Sequence, residues 1–127
     1  RVFEILRLRP RSELHGGPTP GSAVNPGHIF QIPVMMVFPY NIGAPMIGTA
    51  DACIEALIER TKSRIALVGR QPVASYPTVH MRLAESAAEI DCAGLLADRD
   101  AAEFNTIAKA GGDFPMEKRV LYKRNIA

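Results

Sequence analysis

Arg64 and Arg70 bracket the short run RIALVGR, with Lys62 just upstream. Guanidinium groups beside a turn present planar donor forks that match phosphate oxygens. The same spacing has a structural explanation, because a cation in the last turn of a helix opposes the negative end of its dipole. His80 follows at the entry of the next helical pattern and shares an apolar seam with Tyr76 and Leu83. A polar ring in such a seam needs a partner or a cavity, since an unsatisfied buried group costs about 1–3 kcal/mol.

Other chemistries find little support. His15 and His28 lie in a Pro/Gly-rich segment with no carboxylate or cysteine at ligand spacing, so no metal is expected. The sequence has no nucleophile elbow, Walker loop, GxGxxG or HExxH. The string GGPTPG is glycine-rich, but no helix is expected after it to present N–H groups to a phosphate. Lys118, Arg119, Lys123 and Arg124 spread round a helix as a solvated face or a subunit contact. A net charge of +2 gives no basic surface for nucleic acid. Cys53 and Cys92 match neither a disulfide framework nor a metal site and read as free, buried thiols in a reducing, cytoplasmic setting.

The elements that position these residues are mostly helices. Seven of the ten prolines fall at or before Pro45, which argues against a long helix there and leaves room for one short strand, VFEILRL, and an irregular connection. Ile47, Ala50, Ile54, Leu57, Thr61, Ile65 and Val68 then recur at steps of three and four, predicting a helix from about Ala44 that closes at Gly69. A turn, RQPVAS, leads to a second helix over Tyr76–Ala108, with Ser75 as its cap and Pro77 in its first turn. Its seam runs Tyr76, His80, Leu83, Ala87, Ile90, Gly94, Ala97, Ala101, Phe104, Ala108, a regularity that predicts bundle packing. Gly111-Gly112 breaks the chain, and a third helix starts near Asp113-Phe114-Pro115. Prolines interrupt the apolar stretch Ile29–Ile54, so no membrane span is expected. The first residue is Arg1 and the third helix has no stop signal at Ala127, so a fragment of a longer protein is expected. The fold class is mainly α, part of an up-down helical bundle preceded by an irregular or short β segment.

The segment PVASYPTVHMRLAESAAEIDCAGLL resembles the acyl-CoA dehydrogenase superfamily, where a proline-led loop after the R-x-x-F-G turn enters a long alanine-rich helix. GGPTPGSAVNPGHIFQIP followed by GAPMIGTADACIEALI is similar to its branch of reduced-flavin-dependent aromatic monooxygenases. The resemblance covers about residues 10–127 and implies that residues 1–36 end a middle β domain and 37–127 form an incomplete C-terminal helical domain. It implies the oxygenase component of a two-component system that hydroxylates a phenolic ring with O2 and reduced flavin, FMN or FAD. A separate NAD(P)H:flavin reductase would be its partner, and a homotetramer its assembly.

The catalytic residues of that branch lie in segments absent from this sequence. The R-x-x-F-G arginine, which reaches flavin phosphates of a neighbouring subunit, matches Arg64 best, with Leu67 at the phenylalanine position and Val68 at the glycine. Arg70 is the alternative, and His80 falls at a polar lining position. Arg64, Arg70 and His80 are therefore the expected cofactor-binding residues. Two other readings stay open: an FAD-bound acyl-CoA dehydrogenase or oxidase, and a non-catalytic helical oligomerisation domain.

Overall fold

The computed structural model describes residues 10–16 and 19–127. The expected strand VFEILRL lies outside the described residues. Two short helices come first, α1 (Arg11–Leu14) and α2 (Pro20–Val24). Contrary to expectation, then, a helix does follow GGPTPG. Thr19 and Ser22 close it with a reciprocal capping box, each side-chain oxygen accepting the other's backbone N–H at 3.0 Å. With 5 residues it is too short to concentrate a useful dipole at its start. A 3₁₀ turn at His28–Gln31 leads into α3 (Val34–Ser63), followed by α4 (Pro77–Lys109) and α5 (Met116–Ile126).

The largest difference from the sequence expectation is α3, which starts at Val34 and runs straight through Pro39 and Pro45. Each proline removes one helical hydrogen bond and crowds the preceding turn, at a cost of about 3 kcal/mol in an isolated helix. Burial outweighs that cost here: Met36 is 2% exposed, and Tyr40 packs against the same core. Thr49 also donates its hydroxyl to the Pro45 carbonyl at 2.7 Å.

The other end of α3 differs too. The helix stops at Ser63, so Ile65 and Val68 leave the helical stripe and Gly69 does not close it. Arg64 turns extended, and Ile65 pairs with Pro72 across a narrow antiparallel bridge. Ala66 N–H donates to the Gln71 carbonyl at 2.9 Å and Val73 N–H to the Arg64 carbonyl at 2.8 Å. Gly69 and Arg70, both in the left-handed region (φ 84° and 47°), reverse the chain at the tip. Two left-handed residues in a row make a tight hairpin, which the pattern V-G-R does not announce.

α4 and α5 form almost where the periodicity places them. Pro77 is the first residue of α4, but Tyr76 occupies the cap, and Ser75 instead donates to the Pro72 carbonyl. Gly112, at φ 76°, ends α4 by donating its N–H to the Ile107 carbonyl at 2.9 Å. α4 packs antiparallel to α3, and α5 returns antiparallel to α4, with Lys118 meeting Glu103 and Asn125 reaching Asp100. The up-down helical arrangement is as expected.

Met36, Phe104, Ala108, Phe114 and Tyr122 form the core where the three long helices meet. Phe104 sits between Tyr40 and Tyr122 in two edge-to-face contacts, with ring centres 5.1 and 4.5 Å apart. Gly43 permits the close approach of α5, since a Cβ there would fall 2.5 Å from Ile126 Cγ1. Cys53 and Cys92 are exposed rather than buried. Among the described residues, no helix is long and apolar enough to cross a membrane.

Candidate functional site

Arg60 lies in the last turn of α3, and Arg64 is the extended residue that follows its end. Thr78, Arg82 and Ser86 follow one another at four-residue steps on the opening turns of α4. The antiparallel packing turns the two sets toward one cleft of about 360 Å³, walled also by Val73 and floored by Ile54, Leu57 and Leu83. Arg60 and Arg64 make no ion pair among the described residues. Arg82 has only a long contact to Glu85 (3.5 Å), with its side chain 86% exposed. Such a pair in water contributes little, which leaves the guanidinium available to another anion. Three guanidinium forks over an apolar floor, with no carboxylate in the lining, suit a phosphate group attached to an apolar body.

Of the expected residues, Arg64 lies in this cleft. Arg70 does not line it: it occupies the hairpin tip, exposed, in a left-handed conformation that costs a non-glycine residue about 1 kcal/mol. His80 is exposed as well, and a ring nitrogen lies 2.5 Å from the Ala74 carbonyl, tying the start of α4 to the preceding 3₁₀ turn at Val73–Ser75. The structure therefore joins Arg64 to Arg60 and Arg82, not to Arg70 or His80. The signal for the two missed arginines was the four-residue step on each side, legible once the helices are known to be antiparallel.

A second polar cluster sits inside the bundle. Asp100 is completely buried and receives the Tyr40 hydroxyl at 2.6 Å, the Asn125 amide at 2.8 Å and the Arg99 guanidinium at 2.8 Å. The Tyr40 hydroxyl also lies 3.1 Å from the Tyr122 carbonyl. Burial opposes the Asp100 charge, but the hydrogen bonds from Tyr40, Asn125 and Arg99 outweigh it and hold the carboxyl below the ordinary carboxylate range. Burial, followed by the bond to Asp100, pushes the Tyr40 phenol up. The buried Tyr122 hydroxyl has no hydrogen bond among the described residues, and burial followed by the neighbouring Glu103 carboxylate pushes it up as well. Glu103 is itself held low, first by its bond from Lys118. The cluster ties α3, α4 and α5 together inside the bundle, through a carboxylate that is 0% exposed. Among the described residues, no group of three or more potential ligands could hold a metal ion.

Comparison with known proteins agrees with the helical fold. Residues 40–127 match the family model described as the acyl-CoA dehydrogenase C-terminal domain. The chain is 26% identical over 125 residues to a flavin-dependent monooxygenase oxygenase subunit, HsaA, of Rhodococcus jostii, covering 98% of this chain and 32% of that protein. It is 26% identical over 117 residues to the oxygenase component of an FADH(2)-dependent resorcinol hydroxylase of a Rhizobium species, covering 85% and 29%. The HsaA subunit of Mycobacterium tuberculosis is also 26% identical, over 106 residues, covering 83% and 27%. The chain thus spans about a third of the length of the curated relatives it matches. No solved structure matches it. With more than half of its length matched by the family model, the chain belongs to the acyl-CoA dehydrogenase C-terminal domain family.

Proposed function

We propose that this chain forms part of the oxygenase component of a two-component flavin-dependent monooxygenase acting on a phenolic substrate. Residues 37–127 contribute to its helical domain and residues 1–36 to the join with a middle β domain. The observation that carries the reading is the cleft of Arg60, Arg64 and Arg82, whose donor set fits the phosphate of a flavin. Reduced flavin, delivered by a separate NAD(P)H:flavin reductase, supplies two electrons, so that one atom of O2 enters the ring as hydroxyl and the other leaves as water. This chain's own part is to hold the cofactor: the guanidinium groups grip phosphate, and Ile54, Leu57 and Leu83 meet the apolar part of the same molecule. Arg70, exposed on the hairpin tip, and His80, exposed on the first turn of α4, lie outside the cleft and are assigned to a separate contact with the cofactor in a cytoplasmic homotetramer.

Anaerobic titration of the protein with reduced FMN and with reduced FAD tests this reading. Saturable binding is expected, and Arg60→Ala combined with Arg64→Ala should weaken it at least about tenfold, equivalent to ~1.4 kcal/mol. Unchanged affinity in the double variant would remove the cleft as a phosphate site. A protein that purifies with tightly bound FAD and is reduced by an acyl-CoA would overturn the monooxygenase reading altogether.

A further inference from the structure

Arg82 differs from its two companions in the arginine-lined cleft by having a carboxylate within reach. Its Nη1 lies 3.5 Å from Glu85 Oε2, one turn further along α4. Arg82 lines the cleft together with Thr78 and Ser86, whereas Glu85 stands outside it. The guanidinium therefore lies between two anion positions, one in the cleft and one on its own helix. The contact to Glu85 is longer than a charge-assisted hydrogen bond, and the two side chains are 86% and 59% exposed. A pair of this kind is marginal in water, so the long arginine side chain can leave it at little cost.

We infer that Glu85 is a positioning residue that competes with bound phosphate for Arg82 and keeps the cleft's grip weaker than three free guanidinium groups would make it. The inference rests on the cleft being the phosphate site of the function proposed above. As phosphate enters, Arg82 turns from Glu85 to the ligand, and the exposed carboxylate is left to water. As phosphate leaves, Glu85 takes the guanidinium back. The same carboxylate also repels an anion arriving next to it. A cofactor that arrives by diffusion and departs again is served by an internal anion that shortens its stay, since affinity among close variants is set mostly by dissociation.

Glu85→Gln removes the charge and keeps the length of the side chain. Inorganic phosphate, titrated calorimetrically, and reduced FMN, titrated without oxygen, should each bind about threefold more tightly to this variant, the scale of an exposed ion pair. For FMN the gain should appear as slower dissociation. It should vanish in an Arg82→Ala background, where Glu85 has nothing left to compete for. Unchanged or weaker phosphate binding in Glu85→Gln would overturn the inference, and so would no phosphate binding to either protein. An equal gain in the Arg82→Ala background would overturn it too, because Glu85 would then act only as a distant charge. Phosphate separates the two proposals: tighter phosphate binding without any FMN binding sinks the oxygenase reading alone. FMN binding that is lost in Arg60→Ala with Arg64→Ala but indifferent to Glu85→Gln sinks the role of Glu85 alone.

Discussion

At Asp100, near the C-terminal end of α4, a carboxylate is completely buried and meets donors from α3, α5 and its own helix. Some five turns earlier on the same helix, Arg82 joins Arg60 and Arg64 with no carboxylate lining the cleft between them. One end of the helix spends its charge on holding the bundle together; the other leaves like charges side by side in water. Like charges gathered with only the long Arg82–Glu85 contact among the described residues oppose folding slightly, so their value lies in what they attract. A charge fully satisfied inside the protein has no capacity left for a ligand.

The sharpest way to break this contrast is Asp100→Ala. It leaves the Asn125 amide without its acceptor and the Tyr40 hydroxyl with only the Tyr122 carbonyl, 3.1 Å away, while half-exposed Arg99 can return to water, so a loss of about 3 kcal/mol is expected in denaturant unfolding. A loss below about 1 kcal/mol would mean the cluster is incidental to the packing.

A gentler perturbation is pH. Because the folded-state value of Asp100 is depressed, its contribution is fully present above about pH 4, the ordinary carboxylate value, and is lost as pH falls through the lowered one. Stability should therefore decline in acid, and Asp100→Asn should flatten that decline; an equally steep acid limb in the variant would assign it to other carboxylates.

The smallest effect is expected at the other end. Arg60→Ala with Arg64→Ala should change unfolding free energy by less than about 0.5 kcal/mol, or raise it slightly, while affecting anion binding. A large destabilisation would make the arginines structural and erase the comparison.

What the sequence disclosed follows from how local each signal is. α4 and α5 were legible because a sustained three–four period, a leading proline and a double glycine are all encoded within the segment itself. The start of α3 was not, because the rule against helical proline is local whereas the burial of Met36 and Tyr40 is tertiary. Asp100 escaped notice because hydropathy gives the seam to neighbouring Ala101, which is exposed. Only Tyr40 and Asn125, distant in sequence, make a carboxylate tolerable at that place. Arg64 was visible as chemistry, but its companions Arg60 and Arg82 required the antiparallel register of two helices.

The two prolines inside α3 have a consequence for how that helix comes apart. Pro39 and Pro45 carry no amide hydrogen, so the Met35 and Asn41 carbonyls lack their usual partners four residues on. The ladder of hydrogen bonds is thereby weakened at two points in a helix of 30 residues. Opening is therefore easiest from Pro45 onward, where few side chains are buried, while the first turns are held by Met36 and by Tyr40, whose hydroxyl bonds buried Asp100. The prolines thus let the outer part of one helix open without dragging on the part anchored in the core.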